Sequence, residues 1–597
     1  MPASAPCAVG GSSERQLPSA GTNDARSKIQ LNPLDWAYRG EGSANIVMSY
    51  CGHDPSLKGM VLRVCKERPD SHHPGAEVVA GESLSGGSAG ASEAGSASGS
   101  AAGSVQPEPV LRPEERELWG EVVPELAVAP DRIDLLHQYV SRVMAPLLGD
   151  EFVEAGTTVK VPRSFLQEVA DHIRPKRPPW RQAQGDVDLQ RGEALLVTDL
   201  THLHLEDEEW EEDWEETVRE AGHGHRGYNG TTFCIELKPK TGFCPSSPCI
   251  APTNQIKTAV ARFPMHQQLK LSEGEVAQSS AYNPLDLFSS SRPRILSALR
   301  TLIDNPQNNL RIFADGKLLL GGHIHRRADR GKGKKGKGKG EKGEKVGDDV
   351  QVERGNSLDL AALRREEKAQ EAAGLAAAEA ALEGFVCVGK EQPSSDSNTT
   401  TAAAAGAAAG SGLPAAQSPS SAPHLSHPRV DALLSLATEC LVQCGALEKL
   451  LAAQKLDKWD IEGTIHAYNE YMKQRKSMPS APAADAGAGG ASTAAGAAGV
   501  PKEIMEDCRK VLRDFLIAAT AKDCGIMLAL RAAIPGETLE ASQKLRSVVC
   551  PSSGRKYFYR LSIMDLDIKP LRKMRKYWSM DQQIVRHYCS VTRDANA

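Results

Sequence analysis

The stretch Trp36-Ala-Tyr-Arg-Gly-Glu-Gly-Ser-Ala-Asn-Ile-Val-Met-Ser-Tyr50 contains two runs of strand-forming residues with two glycines between them. This pattern predicts a strand, a tight turn and a second strand. The following segment, residues 61–65, alternates Val-Leu-Arg-Val-Cys, as a half-buried strand does. The sequence therefore predicts that the fold begins with a small antiparallel sheet.

Helical periodicity dominates the later part of the chain. Apolar residues recur at helical spacing in 133–148, 297–303, 430–451 and 503–521. Strands early in the chain and helices in its later part predict the α+β class, with two lobes and a cleft.

Low-complexity segments interrupt these elements. The chain has 597 residues, of which only 5% are aromatic, and it contains 53 Gly and 36 Pro. Segments rich in Gly, Ala, Ser, Pro or Lys bury too little apolar surface to offset the entropy of ordering the backbone. We therefore predict disorder in residues 1–30, 74–108, 328–347, 391–427 and 478–499.

Charge and cysteine content restrict the class of protein. The net charge is −5, which argues against a chain that binds nucleic acid over its whole surface. The 13 cysteines show no disulfide framework, so we expect reduced thiols and a cytoplasmic location, a nuclear location, or both. We find no secretory signal in the first residues and no stretch typical of a membrane span, and we expect no membrane partner.

The glycine turn has two interpretations. Residues 39–45, Arg-Gly-Glu-Gly-Ser-Ala-Asn, could point amide N–H groups at phosphate oxygens, or could be an ordinary hairpin turn. The chain has no Gly-x-x-x-x-Gly-Lys-Ser/Thr loop and no His-Arg-Asp or Asp-Phe-Gly motif, so it lacks the P-loop and the protein-kinase signatures.

Two cationic patterns follow. On a strand, Glu236, Lys238 and Lys240 would share one face, which is typical either of a polar ligand site or of a protected edge strand. On a helix, Arg262, His266 and Lys270 are four apart and share a face. Like charges at that spacing repel, so this stripe favours an anion between the side chains, with a solvated helix face as the alternative.

Two further segments carry polar groups suited to phosphates. Residues 305–311, Asn-Pro-Gln-Asn-Asn-Leu-Arg, offer amide and guanidinium donors, although Asn305-Pro306 also suits a turn. Residues 564–577 combine the carboxylates of Asp565 and Asp567 with a dense basic run. Carboxylates bind Mg²⁺ and basic side chains bind phosphate.

In type and order these motifs resemble one family, the inositol-pentakisphosphate 2-kinases, and its plant branch most closely. The matching motifs are Trp-x-Tyr-Arg-Gly-Glu-Gly at 36–42, Arg-Pro-x-Trp-Arg at 177–181, Glu-x-Lys-Pro-Lys at 236–240, Arg-Phe-x-Met-His-Gln at 262–267, Asn-Pro-Leu-Asp-Leu-Phe-Ser at 283–289, Pro-Gln-Asn-Asn at 306–309, Leu-Asp-x-x-Asp-Ile-Glu-Gly-x-Ile-His at 456–466, Ala-Ala-Thr-Ala-Lys-Asp-Cys at 518–524 and Asp-Leu-x-x-Lys-Pro-Leu at 565–571. The low-complexity segments are inserted between these blocks.

The resemblance implies a two-lobed inositol phosphate kinase fold distantly similar to protein kinases. It also implies transfer of a phosphoryl group from ATP, with Mg²⁺, to the 2-hydroxyl of inositol 1,3,4,5,6-pentakisphosphate, which gives phytate. On this basis residues 31–200 form the N-lobe on the ATP side, 201–227 an acidic linker, and 228–597 a C-lobe with the inositol phosphate site.

The family's functional residues map onto this sequence one by one. Asp523 would be the catalytic aspartate and Asp565 the Mg²⁺ ligand. Residues that would bind ATP are Arg39, Gly40, Glu41, Gly42, Ser43, Ala44, Asn45, Arg63 and, at the adenine hinge, Asp199. Residues that would bind the substrate phosphates are Arg181, Lys238, Lys240, Arg262, His266, Lys270, Asn308, Asn309, Arg311, Lys569, Lys573 and Tyr577.

The sequence departs from the family pattern twice. Lys573 replaces the usual Arg four residues before the final Tyr, which keeps the charge but not the bidentate geometry. Plant members also have a zinc site that starts at the His of Ile-His. His466 matches that His, but 468–502 has neither Cys nor His, so we expect no zinc there.

Two other functions compete with the kinase. A non-catalytic inositol polyphosphate sensor would keep the basic site, although the presence of both Asp523 and Asp565 favours catalysis. A nucleic-acid scaffold acting through residues 331–345 ranks lower because no aromatic residues interleave with those lysines, so we expect no specific nucleic-acid partner. We expect a monomer.

Overall fold

The computed structural model describes residues 31–42, 44–67, 110–203, 230–321, 360–386, 427–477, 501–534, 536–538 and 545–594. The predicted disordered segments 1–30, 74–108, 328–347, 391–427 and 478–499 lie outside these ranges, apart from residue 427. The predicted acidic linker 201–227 lies outside them from residue 204 onward.

The structure is of mixed α+β type, as the sequence predicts, and has two antiparallel sheets. The strands are β1 (Trp36–Glu41), β2 (Asn45–Tyr50), β3 (Met60–Cys65), β4 (Thr157–Lys160), β5 (Glu193–Thr198), β6 (Thr232–Leu237), β7 (Leu310–Ala314), β8 (Lys317–Gly321), β9 (Gly525–Ala532), β10 (Arg546–Val549) and β11 (Lys556–Met564).

The helices of the described residues lie between and after these strands, and six of them follow one another between β8 and β9. They are α1 (Pro113–Gly120), α2 (Pro124–Ala127), α3 (Arg132–Tyr139), α4 (Ala145–Leu148), α5 (Arg163–Ile173), α6 (Pro179–Gln182), α7 (Arg262–Ser272), α8 (Pro284–Leu287), α9 (Arg292–Asp304), α10 (Leu360–Ala381), α11 (Pro428–Cys444), α12 (Ala446–Gln454), α13 (Asp460–Ser477), α14 (Lys502–Glu506), α15 (Cys508–Ala521) and α16 (Met574–Asp594).

The first of two compact units comprises the described residues within 31–110, 129–137 and 155–199. Its sheet has the order β1-β2-β3-β5-β4, and all neighbours are antiparallel. Ile46 and Met48 of β2 alternate with half-buried positions and pack in a core with Phe165 and Val169 of α5. The period-2 pattern of the strand and the apolar face of the helix thus form one two-layer unit.

The second unit comprises the described residues within 111–128, 138–154 and 200–594. Its sheet has the order β10-β11-β9-β6-β7-β8, again antiparallel throughout. Every residue of β6 and β9 is buried, which explains why these two strands are apolar at nearly every position. Around the functional residues described below, α15 packs on α12 and α13, and α16 packs on α7 and α13.

Among the described residues, no one helix combines the length and apolarity of a bilayer span. The pair α11 and α12 meets the same length and composition criteria only when taken together, and the two helices are bent by 67° where they meet.

Most local predictions are confirmed. The hairpin and the strand at 61–65 are β1, β2 and β3, and the four helical segments lie in α3 to α4, α9, α11 to α12, and α14 to α15. One prediction is wrong: β6 ends at Leu237, so Lys238 and Lys240 do not alternate along a strand. Pro239 has no N–H to donate to a strand ladder, and Lys240 has a positive φ of 61°, which takes the chain out of the sheet. The lobe boundaries 31–200 and 228–597 stay predictions.

Candidate functional site

Several functional candidates meet at one edge of the second sheet. Strands β6 and β11 end at this edge and β9 begins there, and Gly525 pairs with Met564 in the register. Asp523 lies just before β9, Asp565 lies just after β11, and residues 238–240 follow β6. Antiparallel pairing therefore brings together segments that are about 300 positions apart in the sequence.

A cavity of about 470 Å³ lies within the second unit at this place. Its cationic and imidazole groups are Lys240, Lys257, Arg262, His266, Lys270 and Lys522, and its carboxylates are Asp457, Asp460, Asp523 and Asp581. Asn308, Asn309 and Tyr577 also line it, together with apolar side chains that include Phe243, Phe263, Ile461 and Phe515. The predicted substrate residues in its wall are thus Lys240, Arg262, His266, Lys270, Asn308, Asn309 and Tyr577.

The cationic stripe of α7 lies in the cavity wall. Arg262, His266 and Lys270 all line the cavity, as their spacing on a helix predicts. Burial, together with the charges of Lys270 and Arg262, lowers the pKa of His266 to about 4. The imidazole is therefore neutral at physiological pH when no anion is present, and an anion in the cavity would favour its protonation.

The pKa of Lys240 is lowered from 10.5 to about 8. Burial is the main cause, Lys238 and Lys270 act in the same direction, and Asp523 opposes the shift. A lysine with this pKa is only partly charged just above neutral pH. An anionic ligand would restore its full charge.

Asp523 is held by a lysine. The Nζ atom of Lys569 donates a hydrogen bond to Asp523 Oδ2 over 2.6 Å, and the Asp523 side chain is 66% exposed. Tyr577 lines the same cavity, and burial and the charge of Asp523 raise the pKa of its hydroxyl to about 12. The carboxylate is accessible from the cavity and has a strong hydrogen-bonding partner.

Asp565 stands next to Lys238. Lys238 Nζ lies 3.4 Å from Asp565 Oδ2, and Asp565 has a positive φ of 61° directly after β11. Its side chain is about one-third exposed. A partly accessible carboxylate oxygen is a donor that Mg²⁺ prefers, so this residue fits a magnesium ligand.

Arg311, Lys569 and Lys573 are predicted substrate residues of the second unit that do not line the cavity, and Arg181 belongs to the first unit. Arg311 donates to both carboxylate oxygens of Glu236, at 3.2 and 3.0 Å, across the β6–β7 pair. Lys569 is bonded to Asp523 as described. Lys573 is exposed and closes the short turn Leu571–Lys573 before α16.

Asn309 is the buried amide of the wall. It is only 1% exposed, and neither its side-chain oxygen nor its side-chain nitrogen has a hydrogen-bond partner among the described residues. Buried polar groups without partners are rare in folded proteins. An amide in this state on a cavity wall indicates a polar ligand.

The sequence reasoning missed a buried ionic cluster at one end of the cavity. Lys257 Nζ lies 2.5 Å from Asp460, 3.1 Å from Glu462 and 2.7 Å from Asp581. The three carboxylates are close enough together to hold a metal ion, but the ammonium group of Lys257 occupies this position. Asp460 and Glu462 belong to the family motif at 456–466. Their presence in that motif was the only feature of the sequence that pointed to the cluster.

A second missed pair connects α15 to the segment before α13. Lys522 Nζ lies 2.5 Å from Asp457 Oδ2 and above the rings of Phe243 and Phe515. The side chain next to Asp523 in sequence is therefore fixed by an ion pair and two cation–π contacts.

The predicted nucleotide loop belongs to the first unit. Arg39, Gly40 and Glu41 end β1, Asn45 begins β2, Ala44 lies between them, and Ser43 lies outside the described residues. A Cβ atom built on Gly40 or Gly42 would meet nothing within 4 Å, so the space above the loop is open. The N–H of Gly42 donates to Asn45 O and closes the turn.

Glu41 anchors this loop instead of facing the open space. Its carboxylate is fully buried, forms an ion pair with Lys66, and accepts from Arg177 at 2.9 and 3.0 Å. Arg181 donates to Gly42 O over 3.4 Å, so the motif at 177–181 contacts the loop at two points.

The two remaining nucleotide candidates lie in or next to strands of the same sheet. Arg63 is in the middle strand β3, opposite Val47 and Leu195. Asp199 follows β5, is buried, and its backbone N–H donates to Gly59 O over 2.8 Å. An open glycine turn, an arginine and a buried carboxylate are groups that can hold a nucleotide.

Comparisons with a family profile and with individual known proteins all match this chain to one family. The profile of the family described as inositol-pentakisphosphate 2-kinase matches residues 38–583. The inositol-pentakisphosphate 2-kinase of Arabidopsis thaliana is 29% identical over 554 residues, which is 93% of each chain. The inositol-pentakisphosphate 2-kinase IPK1 of Oryza sativa subsp. japonica gives the same identity and coverage. The enzyme of Danio rerio is 38% identical over 185 residues, 30% of this chain and 33% of its own.

Proposed function

This chain belongs to the inositol-pentakisphosphate 2-kinase family, and from this membership we propose which of its residues bind substrate and carry the reaction. The chain is an inositol-pentakisphosphate 2-kinase that forms inositol hexakisphosphate, or phytate. One observation carries the residue assignment: Asp523, Asp565 and a cation-lined cavity lie at the same edge of one sheet.

The cavity of the second unit is the proposed site for inositol 1,3,4,5,6-pentakisphosphate. Five phosphates carry about eight to ten negative charges near neutral pH. Lys240, Arg262, His266 and Lys270 converge on this space, and the buried amide of Asn309 offers a donor that lacks a partner among the described residues. These groups support the binding of a small polyanion rather than of an extended one, because they surround a single cavity.

Asp523 is the proposed general base. Its exposed carboxylate can accept the proton of the substrate's 2-hydroxyl as that oxygen attacks the terminal phosphorus of ATP. The bond from this phosphorus to the bridging oxygen breaks, and ADP leaves with that oxygen. Lys569 holds Asp523 in one position and would also lie close to a substrate phosphate. Lys238 would balance charge beside Asp565.

ATP and Mg²⁺ follow from the family's reaction. Asp565 would hold Mg²⁺, which would neutralise phosphate charge when bound. The open turn from Gly40 to Asn45 and Arg63 would bind the ATP phosphates, and the segment at Asp199 would lie beside the adenine. Glu41 would act indirectly by anchoring the turn.

We also propose that the two units are the two lobes of an inositol phosphate kinase fold distantly similar to protein kinases. We further propose a monomer that is located in the cytoplasm, the nucleus or both; the scattered cysteines support this location.

A direct assay tests the residue assignment. The full chain is incubated with Mg-ATP and inositol 1,3,4,5,6-pentakisphosphate, and inositol hexakisphosphate is followed by ion chromatography. Asp523→Asn and Asp565→Asn are compared with Asp514→Asn, which removes a carboxylate of α15 that pairs only with Lys510 among the described residues. We expect Asp523→Asn to lose at least about 100-fold in kcat, as removal of a general base does. We expect a loss in Asp565→Asn as well, because a proposed Mg²⁺ ligand is removed, and wild-type activity in the control.

The outcome separates two functions. If the wild type binds the substrate but forms no product, the chain is an inositol polyphosphate sensor and the kinase assignment is wrong. If Asp523→Asn retains wild-type kcat, another group is the base.

A further inference from the structure

Asp581 of α16 bridges two cations at the cavity. Its Oδ1 accepts from Arg262 Nη1, the first residue of α7, and its Oδ2 accepts from Lys257 Nζ at 2.7 Å. The residue is only 5% exposed, although it is part of the cavity wall. One carboxylate thus links α16 to α7 and to the turn before α7.

Lys257 cannot serve as a phosphate ligand in this arrangement. An ammonium group has three N–H donors, and those of Lys257 are directed at Asp460, Glu462 and Asp581. The neighbouring carboxylates outweigh the effect of burial and raise its pKa, so it stays charged. The cluster is therefore a buried structural support, in which the three carboxylates already balance the positive charge of Lys257.

Arg262, in contrast to Lys257, keeps N–H donors that can bind a phosphate. Its side chain is 38% exposed, and a guanidinium group has five N–H donors, of which the contact with Asp581 uses Nη1. An arginine side chain has many rotamers, and ordering it on ligand binding costs affinity. A buried carboxylate that holds one end of the guanidinium group reduces that cost and leaves other donors for a phosphate.

The position of Asp581 on its helix supports the same role. Tyr577 lies four residues earlier on α16, and both side chains line the cavity. Arg262 is followed by His266 and Lys270 on the cavity face of α7. The bond between Asp581 and Arg262 therefore fixes the separation of two helices that each carry proposed substrate residues.

We propose that Asp581 is a positioning residue for substrate binding, which acts by orienting Arg262 toward a phosphate of the inositol ring. Only the identity of the ligand rests on the proposed function. Asp581 does not touch the reacting atoms, so its effect falls on KM for the inositol phosphate rather than on kcat.

The test is a double-mutant cycle in the full chain with Asp581→Asn, Arg262→Met and the double variant. KM for inositol pentakisphosphate, KM for ATP, kcat and Tm are measured for each. The matched control is Glu462→Gln, which removes the same charge from the same cluster but does not contact Arg262.

We expect Asp581→Asn to raise KM for the inositol phosphate about 10-fold or more, the usual effect of losing a charge-assisted bond, with kcat and KM for ATP within about 2-fold. In the Arg262→Met background, Asp581→Asn should raise KM for the inositol phosphate no further. Glu462→Gln should leave this KM within about 2-fold of the wild-type value. Should Asp581→Asn prove too unstable to purify, Asp581→Glu keeps the charge but displaces Arg262, and we expect it to raise KM as well.

Additive effects of Asp581→Asn and Arg262→Met, or equal effects of Asp581→Asn and Glu462→Gln, would overturn the proposal. Calorimetric binding of inositol hexakisphosphate to the same variants separates this proposal from the kinase assignment. A wild type that binds but does not turn over refutes the kinase alone, whereas unchanged affinity in Asp581→Asn refutes the role of Asp581.

Discussion

Lys569 donates a hydrogen bond to Asp523, with Nζ 2.6 Å from Oδ2, although the two residues are 46 positions apart. The contact joins the turn after α15 to the segment after β11. Because the lysine side chain is only 17% exposed and the carboxylate is 66% exposed, the pair presents a fixed carboxylate to the solvent.

We predict that Lys569→Gln raises KM for inositol pentakisphosphate about 10-fold, because it removes a charge-assisted contact beside the cavity. Steady-state kinetics at constant ionic strength measures this effect. Lys576→Gln is the control, since it removes an equal charge from an exposed position on α16. Equal changes in both variants would mean that only the overall charge matters.

The depressed pKa of Lys240 predicts a pH dependence of substrate binding. Its pKa is about 8 without ligand, and a bound polyanion favours the charged form. Binding must therefore take up a proton above pH 8, and affinity should fall as pH rises from 8 toward 10. Calorimetry with inositol hexakisphosphate between pH 7 and 9.5 measures the slope.

Lys240→Arg is the matched variant for this prediction, because a guanidinium group stays charged over the whole range. The phosphates of the ligand titrate equally in both experiments. We expect a shallower slope for Lys240→Arg, and parallel slopes would show that Lys240 does not titrate on binding.

Replacing Asn309 with an apolar residue should make the protein more stable and weaken substrate binding. Its buried amide has no partner among the described residues, and leaving such a group unpaired costs about 1–3 kcal/mol. We expect Asn309→Leu to raise the free energy of unfolding by about 1 kcal/mol and to raise KM for the inositol phosphate. Denaturant unfolding and kinetics measure the two effects.

Asn308→Leu is the control, because Asn308 is exposed and should gain no stability. A less stable Asn309→Leu with unchanged KM would show that the amide has a structural partner and no ligand.

Arg177 should stabilise the glycine turn. Its guanidinium group is fully buried and bonds to Glu41, to Asp186 at 2.7 Å and to Gly185 O at 2.8 Å. Arg177→Met leaves the buried carboxylate of Glu41 with one cation fewer, and breaking a buried pair costs about 3–5 kcal/mol. We expect a lower Tm and a higher KM for ATP.

Arg174→Met provides the comparison, since Arg174 also pairs with Asp186 but is about half exposed. Arg174→Met should lower the free energy of unfolding by less than about 1 kcal/mol, as for other surface ion pairs. Similar losses in both variants would argue against the anchoring role of Arg177.

The sequence by itself determined the local elements and the family. Strand-forming runs and alternation predicted β1 to β3. A helix over 262–270 would place Arg262, His266 and Lys270 on one face, and the structure has this helix as α7. Both patterns depend on residues only a few positions apart. The ordered motifs were sufficient to identify an inositol-pentakisphosphate 2-kinase.

Only the tertiary structure decided which charges face the cavity and which are balanced elsewhere. Glu41 and Arg311 looked like ligand groups in the sequence, but they pair with Arg177 and Glu236. Local patterns cannot reveal such pairs, because the partners are brought together by sheet register and helix packing.

The link between Lys257 and Asp581 spans 324 positions, and nothing in the sequence near either residue indicates it. Burial then sets the protonation of Lys240 and His266, since the cost of desolvating a charge depends on the whole fold around it.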